Sequence, residues 1–148
     1  MSSYISPALR RLVATRAEFL CEYCLIHEED TFFGCEVDHI ISEKHGGQTA
    51  ESNLAYACAF CNRSKGSDVG SIVHRTGLFA RFFNPRTDFW ADHFALDRVM
   101  ILALSDIGDV TVRILDFNNA ERLFERRALQ EIGRYPTANA AARMTRRA

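Results

Sequence analysis

The fold is decided by residues 21–65, which read CEYCLIHEEDTFFGCEVDHIISEKHGGQTAESNLAYACAFCNRSK. Two Cys-x-x-Cys pairs of equal spacing frame this stretch, Cys21 with Cys24 and Cys58 with Cys61. A two-residue gap lets both thiolates of a pair bind one tetrahedral ion at about 2.3 Å, and two such pairs complete a four-cysteine zinc site. Because four thiolates leave no open position for a substrate, the sequence predicts a structural zinc ion at the base of a long loop.

Other uses of the five cysteines are disfavoured by their context. The sequence shows neither a secretory signal nor an apolar run of about 18 residues, which predicts a cytoplasmic protein with no membrane partner. Structural disulfides are rare in that compartment, and two matched pairs outside a thioredoxin-like setting favour metal binding over redox chemistry. Cys35 has no partner in this scheme and is predicted to be a buried free thiol.

Length, composition and charge indicate one ordinary domain. The chain has 148 residues, of which 47% are hydrophobic and 25% are charged, as in soluble globular proteins. Its formal net charge of −1 argues against a protein that coats nucleic acid by bulk charge, although the basic stretch from Arg63 to Arg86 can still bind phosphates. We predict one domain over residues 1–148, with a core at about 18–68, an N-terminal helix at 7–20, a C-terminal extension at 69–135 and a flexible basic tail at 136–148.

The predicted order of elements inside the framed stretch is strand, loop, strand, helix. Residues 32–41 are rich in strand-forming side chains and lead into a polar loop that contains His45-Gly46-Gly47. Residues 54–57 form a short apolar run that can pair with the first strand. Residues 62–65 predict one or two helical turns that end at Gly66.

Patterns outside this stretch predict flanking helices and a hairpin. Ser6-Pro7 is typical of a helix N-terminus and predicts a helix over residues 7–20 that leads into the first cysteine pair. The aromatic side chains between Phe79 and Phe94 are expected to pack over the metal core. The remaining predicted elements are two strands of a hairpin at 99–104 and 110–115, and a helix capped by Asn118-x-x-Glu121.

Four short motifs follow one another in and just beyond the loop between the cysteine pairs. They are Val37-Asp38-His39-Ile40-Ile41, Gly46-Gly47, Asn53-Leu54 and Cys61-Asn62-x-x-Lys65. This string resembles the HNH endonuclease family, in which an Asp-His pair, a central Asn and a final His or Asn are held in a ββα-metal fold that two Cys-x-x-Cys pairs often brace. Phe83-Asn84-Pro85-Arg86, Trp90 and His93-Phe94 are similar to a bacterial subgroup of HNH proteins.

With the patterns above, the resemblance implies an α+β fold. Its centre would be a small ββα-metal core braced by the four-cysteine zinc site. Flanking helices and a C-terminal β-hairpin plus helix would surround this core. The family likeness covers Cys21 to about Lys65, so the extension rests on its own patterns.

The resemblance also implies a hydrolase that cuts phosphodiester bonds. Such hydrolysis requires an activated water and neutralisation of the charge that develops on the phosphate. His39 is the implied general base, because an imidazole can accept a proton from water near neutral pH. Asp38 and Asn62 are the implied oxygen ligands of Mg²⁺ or another divalent cation. Asn53 is the implied catalytic residue that orients His39 and braces the loop without touching the metal.

The implied substrate is nucleic acid, with DNA as the preferred candidate. Arg63 and Lys65 follow Asn62 by one and three residues, where a guanidinium and an ammonium can approach phosphates. His45, in the loop before the two glycines, is a further candidate for substrate binding. A homodimer would suit this function, since cutting both strands with one active site per chain calls for two copies.

The Asp-His pair sets a geometric condition on this hypothesis. Neighbouring residues on a regular strand point to opposite faces, so Asp38 and His39 can serve one site only where the strand ends, bends or bulges. The polar loop that begins at Ser42 favours an end. We therefore predict that this pair lies at a strand terminus.

Two other functions are compatible with the same zinc framework. One is a non-catalytic, zinc-stabilised module that binds nucleic acid or a protein partner, and the other is a structural zinc domain with no nucleic-acid partner. The presence of His39, Asn53 and Asn62 favours the enzyme over the binding module. DNA binding without cleavage would indicate the first alternative, and no DNA binding even at low salt would indicate the second.

Overall fold

The computed structural model describes residues 4–148, and its central unit has the predicted order of strand, loop, strand and helix. β1 (Cys35–His39) pairs antiparallel with β2 (Leu54–Cys58). α2 (Ala59–Lys65) follows β2 without a break and ends at Gly66, whose φ of 54° is of the kind that glycine tolerates. Together with the cysteine cluster described below, this mixture of helices and small antiparallel sheets confirms the predicted α+β fold class.

β1 is shorter at both ends than the strand predicted over residues 32–41. The expected strand over residues 32–41 is wrong at its start, because Phe32 and Phe33 lie in a turn. Gly34 follows them with a φ of 67°, which interrupts an extended backbone. The strand ends at His39, two residues before the predicted end at Ile41, and this agrees with the separate prediction that the Asp-His pair lies at a strand terminus.

α1 (Pro7–Arg16) begins as predicted but stops before residue 20. The Ser6 hydroxyl accepts a hydrogen bond from Leu9 N at 3.1 Å and so caps the helix. Glu18 and Phe19 have φ values of 58° and 60°, a left-handed conformation in which a right-handed helix cannot continue. The chain therefore turns toward the first cysteine pair, and the buried side of α1 packs on the β1–β2 sheet.

The first part of the C-terminal extension covers the cysteine cluster with aromatic side chains. Phe82, Phe83, Trp90 and Phe94 are buried in one cluster with the four cysteines, as the sequence predicts, whereas Phe79 and Phe89 are exposed, so the prediction is wrong for these two. The elements here are β3 (Gly70–Ile72) paired with β4 (Phe79–Arg81), α3 (Trp90–His93), and β5 (Phe94–Asp97) paired with β6 (Met100–Ala103).

The strand predicted over residues 110–115 is wrong, because α4 (Asp106–Ile114) occupies this part of the chain. The run of β-branched side chains after Asp109 favours a strand in isolation. However, the Ser105 hydroxyl accepts a hydrogen bond from Gly108 N at 3.0 Å and starts a helix whose apolar face is buried. The C-terminal hairpin does exist, but its two strands are β5 and β6.

The N-cap of α5 (Ala120–Glu131) lies one residue later than predicted. Asn119 caps the helix, because its side chain accepts a hydrogen bond from Arg122 N at 3.0 Å. Asn118, the predicted cap, instead bonds to both backbone groups of Ile101 on β6. Within residues 4–148 no helix combines the length and the apolar character that a membrane span requires.

The tail from Pro136 onward is predicted to be frayed, and this is wrong for the residues of α6 (Ala138–Arg143). The Thr137 hydroxyl caps this helix by accepting a hydrogen bond from Ala140 N at 3.1 Å. Arg143 forms an ion pair with Glu18 at 3.0 Å, which ties the helix to the turn after α1. The small side chain of Ala140 lets the helix pack against the main hydrophobic core. The sequence does not predict this packing, because it shows no apolar stripe at helical spacing.

Candidate metal centre and active site

Both cysteine pairs converge on one point. The Sγ atoms of Cys21, Cys24, Cys58 and Cys61 all lie within 4.8 Å of one another, and the sulfurs of Cys24 and Cys58 are 3.8 Å apart. Thiolates held about 2.3 Å from a tetrahedral ion lie about 3.8 Å from each other. The four buried cysteines therefore form a metal-binding cluster, and their all-sulfur donor set indicates zinc.

Each cysteine pair lies on a turn that its own backbone builds. In the first, Leu25 has a φ of 65° and its N–H donates to Cys21 O at 2.9 Å, while Cys21 N donates to Ile26 O at 2.8 Å. In the second, Cys58 caps α2 and its sulfur accepts a hydrogen bond from Cys61 N at 3.5 Å. An ion bound here would join these two turns. The chain between the two cysteine pairs, which contains β1, the loop and β2, would then be closed at its base.

The protonation of the cysteines explains why a cation belongs in this cluster. Burial raises the pKa of the Cys21 and Cys61 thiols well above the ordinary value, whereas hydrogen bonds from Cys21 and the other thiols lower the pKa of Cys24. Burial therefore opposes ionisation of these thiols when no cation is bound. A divalent ion permits all four groups to ionise, so zinc binding and proton release are coupled.

Arg122 on α5 completes the electrostatics of the cluster. Its buried Nη2 donates to Cys61 Sγ at 3.0 Å, and its guanidinium lies 5.5 Å from the ring centroids of both Phe60 and Phe117. Burial alone would lower the pKa of Arg122, but the neighbouring thiolates, Cys61 first, raise it above the ordinary value. Four thiolates carry more negative charge than one zinc ion neutralises, so this buried cation stabilises the filled site.

A polar cleft lies between β1 and α2, and it contains both predicted oxygen ligands. Asn62 Nδ2 donates to Glu36 Oε2 at 3.1 Å, and Lys65 Nζ forms an ion pair with Asp38 Oδ2 at 2.9 Å. Glu36 and Asp38 are two residues apart on one strand face, and Asn62 and Lys65 are three apart on one helix face. Asp38 and Asn62 therefore lie on facing walls of this β1–α2 cleft.

Lys65 is buried in the β1–α2 cleft. Its side chain is 2% exposed, and besides the ion pair with Asp38 its Nζ donates to His39 O at 2.8 Å. One ammonium group therefore holds both the carboxylate of Asp38 and the backbone of His39. Burial raises the pKa of Asp38, although the charge of Lys65 acts in the opposite direction. Phosphate binding by Lys65 stays a prediction, because here its ammonium is used within the protein.

Replacing Lys65 with methionine is expected to lower the free energy of unfolding by about 3–5 kcal/mol. Methionine keeps the apolar stem but leaves the largely buried Asp38 carboxylate without its cation. Chemical denaturation of the zinc-loaded protein measures the loss. Arg63→Met, at an exposed position of the same helix, should cost less than about 0.5 kcal/mol. Equal losses for the two variants would show that the buried ion pair contributes nothing to stability.

The His39 side chain contacts the loop between the two strands. Its Nε2 lies 2.8 Å from Thr49 Oγ1 and 3.3 Å from Glu43 Oε1, and the side chain is 15% exposed. The Thr49 hydroxyl donates in turn to Glu43 at 3.3 Å. These contacts fit the tautomer in which Nε2 carries the hydrogen of the neutral ring and donates to oxygen, and in that tautomer Nδ1 is the nitrogen that can accept a proton.

Asn53 connects the two ends of this loop. Its Oδ1 accepts a hydrogen bond from Ile41 N, and its Nδ2 donates to Ile41 O and Gln48 O, all at 2.9 Å. Gly47 packs so closely that a Cβ there would lie 1.7 Å from Ile41 O, which explains the second glycine of the Gly-Gly motif. Through these bonds Asn53 braces the segment that carries Thr49, the partner of the imidazole.

The two remaining candidates from the sequence lie at the surface. Arg63 is exposed on α2, and its guanidinium is 6.0 Å from the ring centroid of Phe60. His45 is exposed at the end of the 3-10 helix Glu43–His45, on the loop that Asn53 braces. Arg63 is thus available to a phosphate beside the β1–α2 cleft, and substrate binding by His45 stays a prediction.

Sequence reasoning missed four residues that contact the predicted site residues. Glu43 follows His39 by four positions, but this spacing is too common in sequences to identify Glu43 as a site residue. Thr49 belongs to no sequence motif that would identify it. Both become visible only when the loop folds back. Glu36 shares the alternating face of Asp38, which is a usable signal. The sequence gives little indication that Arg122 is buried, because the other polar residues of its helix are of kinds that are common at protein surfaces.

A comparison with protein-family models gives a match to the model described as HNH endonuclease, over residues 21–68. Residues 21–68 are an HNH domain. This HNH domain covers about a third of the chain and includes the four cysteines and the whole β1–α2 cleft. Neither the curated proteins nor the solved structures contain a match to the chain. The HNH domain indicates a nuclease-type function with nucleic acid as substrate.

Proposed function

We propose that the protein is an HNH endonuclease that hydrolyses phosphodiester bonds in DNA and requires Mg²⁺ or another divalent cation in addition to zinc. The β1–α2 cleft carries this proposal. Asp38 and Asn62 line its facing walls through their contacts with Lys65 and Glu36, and His39 ends the strand directly after Asp38. A histidine that follows one of two oxygen ligands directly in the chain is a composition suited to metal-assisted phosphodiester hydrolysis.

In the proposed reaction, Asp38 and Asn62 would hold the divalent cation, which would offset the charge that develops on the phosphate. His39 accepts at Nδ1 a proton from the water whose oxygen attacks phosphorus. The bond from phosphorus to the leaving sugar oxygen breaks, and that oxygen takes a proton from solvent. Thr49 and Glu43 hold Nε2 on the opposite side of the ring, so the carboxylate stabilises the imidazolium that forms.

The zinc ion has a structural role in this proposal. Its four cysteine ligands leave no open position, so the bond-breaking step does not involve it. Because Cys58 and Cys61 lie at the start of α2, the cluster fixes the helix that presents Asn62 to the strand. Lys65, at the end of the same helix, positions the Asp38 carboxylate and the His39 backbone.

Nicking of supercoiled plasmid DNA by the zinc-loaded protein tests this function. The divalent cation should be omitted and then added back, because a strong chelator would also remove zinc and confuse the two metals. We expect open-circular product only after Mg²⁺ or Mn²⁺ is added, at constant zinc content. Plasmid that stays supercoiled with both cations, at full zinc occupancy, would contradict the proposal.

A non-catalytic, zinc-stabilised module that binds nucleic acid is the second candidate, and one observation favours it. Lys65 already supplies a positive charge to the carboxylate of Asp38, which is the charge that a bound cation would supply in an enzyme. A gel-shift measurement on the same plasmid preparation separates the two candidates. Retarded but uncut DNA in the presence of added cation would favour the binding module.

A further inference from the structure

Two neighbouring phenylalanines stand out of the protein beside the β1–α2 cleft. The side chain of Phe32 is 91% exposed and that of Phe33 is 68% exposed. Their rings meet edge to face, with centroids 4.8 Å apart and planes at 83°. Single exposed apolar side chains are ordinary, but an adjacent aromatic pair forms a continuous apolar surface. Covering this surface with a ligand would be favourable.

The loop that carries these rings is anchored on both sides. Before the rings, Asp30 receives two hydrogen bonds from Arg134, at 3.0 and 2.9 Å, and Thr31 is buried. After them, Gly34 N donates to Thr31 O at 3.3 Å, and β1 begins at the next residue. The loop therefore holds the rings outward in a defined place, which limits the entropy lost when a ligand covers them.

Phe33 forms one wall of an open groove of about 280 Å³. The other lining residues are Glu36, Ala59, Asn62 and Arg63, so the groove is continuous with the β1–α2 cleft. It offers an aromatic face, a carboxylate, an amide and an exposed guanidinium. A phosphate alone would be repelled by Glu36, and a purely apolar ligand would leave three polar groups without a partner.

A nucleobase with its phosphate matches this set of groups. The flat face of a base stacks on an aromatic ring, its amino groups donate to a carboxylate, and the attached phosphate pairs with a guanidinium. In a regular duplex both faces of each base are covered by neighbouring bases, and only an unpaired or displaced base can offer a face to a side chain.

We propose that Phe33, supported edge-on by Phe32, stacks on an unpaired base next to the bond that the HNH domain acts on. This inference deepens the proposed function and rests on it for the identity of the substrate as nucleic acid. The preferred substrate class is single-stranded nucleic acid or a duplex with a locally unpaired segment. Arg63 binds the adjacent phosphate.

Fluorescence anisotropy with a labelled single-stranded DNA of mixed sequence and with its perfect duplex tests the stacking. The measurement uses zinc-loaded protein without added divalent cation, so that no cleavage occurs. Phe33→Ala is expected to weaken binding of the single strand about tenfold and binding of the duplex less than about twofold. Phe124→Ala is the matched control, because Phe124 is 76% exposed on α5 outside the HNH domain.

Phe33→Trp gives a readout that does not depend on affinity. The native Trp90 is buried and its indole N–H donates to Tyr23 O, so a new emission from position 33 is separable from it. Stacking on a base quenches an exposed indole, and we expect this quenching with the single strand and little with the duplex. Equal weakening of both DNAs in Phe33→Ala, an equal loss in Phe124→Ala, or unquenched emission in Phe33→Trp would overturn the inference.

The same experiments keep the two proposals apart. Single-strand binding that depends on Phe33, without nicking of any DNA, would support the stacking site and contradict catalysis. Metal-supported nicking that is unaffected by Phe33→Ala on single-stranded DNA would overturn the stacking site alone. A protein that binds neither DNA, or only an apolar protein surface, would overturn both proposals.

Discussion

Replacing His39 with alanine is expected to slow metal-supported DNA cleavage by about 10²–10⁴-fold. Alanine removes the group that we propose accepts the proton of the attacking water. The zinc cluster is built from other residues, so zinc content should stay at that of the unaltered protein. Initial rates of plasmid nicking at saturating Mg²⁺ measure the effect, and atomic absorption measures the zinc.

Two comparisons make the His39→Ala result specific. His74→Ala is the matched control, because His74 is exposed outside the HNH domain, with its Nε2 3.2 Å from a guanidinium nitrogen of Arg113. Its nicking rate should equal that of the unaltered protein. Free imidazole should restore part of the rate to His39→Ala, since it can replace a missing base but not a missing fold. Equal rates for the two alanine variants would remove His39 from the mechanism.

Replacing Cys24 with serine is expected to produce the largest loss of stability of any substitution proposed for this chain. Binding of a structural zinc ion contributes on the order of 10 kcal/mol to the folding of small zinc domains, which is comparable to the whole stability of an ordinary domain. The HNH domain should therefore lose zinc and its cooperative unfolding transition. Zinc analysis after gel filtration and thermal denaturation followed by circular dichroism measure both losses.

Cys35→Ser is the matched control, because it removes a nearby thiol that is not a predicted zinc ligand. Cys35 is half-buried, burial raises the pKa of its thiol, and it is not among the four clustered sulfurs. This variant should keep its zinc and change the melting temperature by no more than a few degrees. A Cys24→Ser protein that retains one zinc ion and unfolds like Cys35→Ser would contradict the four-cysteine assignment.

The metal framework can be predicted from the sequence because its determinants are local. The spacing of Cys21 and Cys24 fixes which atoms can reach one ion, and a second pair of equal spacing leaves few alternatives. The end of β1 at His39 follows from the polar loop after it, and Gly66 predicts the end of α2. These features depend on neighbours in the chain, and the structure has them where the sequence places them.

The extension is harder to predict because tertiary contacts override local preference. In α4 the β-branched residues after Asp109 favour a strand, yet the Ser105 cap and the burial of one helix face decide the conformation. In α5 the apolar pattern suggests that Phe124 faces the core, but Phe124 is exposed. Arg122 is buried there instead, because thiolates and backbone carbonyls, which no helical pattern reveals, surround its guanidinium.

The candidate site is harder to predict from the sequence than the metal framework and easier than the extension. The family resemblance names Asp38, His39 and Asn62, but it does not reveal that a buried ammonium holds the strand end or that Thr49 contacts the imidazole. These contacts join residues that are ten or more positions apart, and only the folded loop and helix bring them together. Sequence therefore predicted the identity of the reactive groups better than their partners.

Binding of Mn²⁺ to the zinc-loaded protein tests most directly whether the β1–α2 cleft holds a second cation. Electron paramagnetic resonance of free Mn²⁺ counts the bound ions without requiring catalysis. We expect one site in the unaltered protein, none in Asp38→Asn, and one in Asp88→Asn, whose carboxylate is also ion-paired and largely buried but lies outside the HNH domain. A zinc-loaded protein that binds no Mn²⁺, or an Asp38→Asn variant that binds it undiminished, would contradict the account.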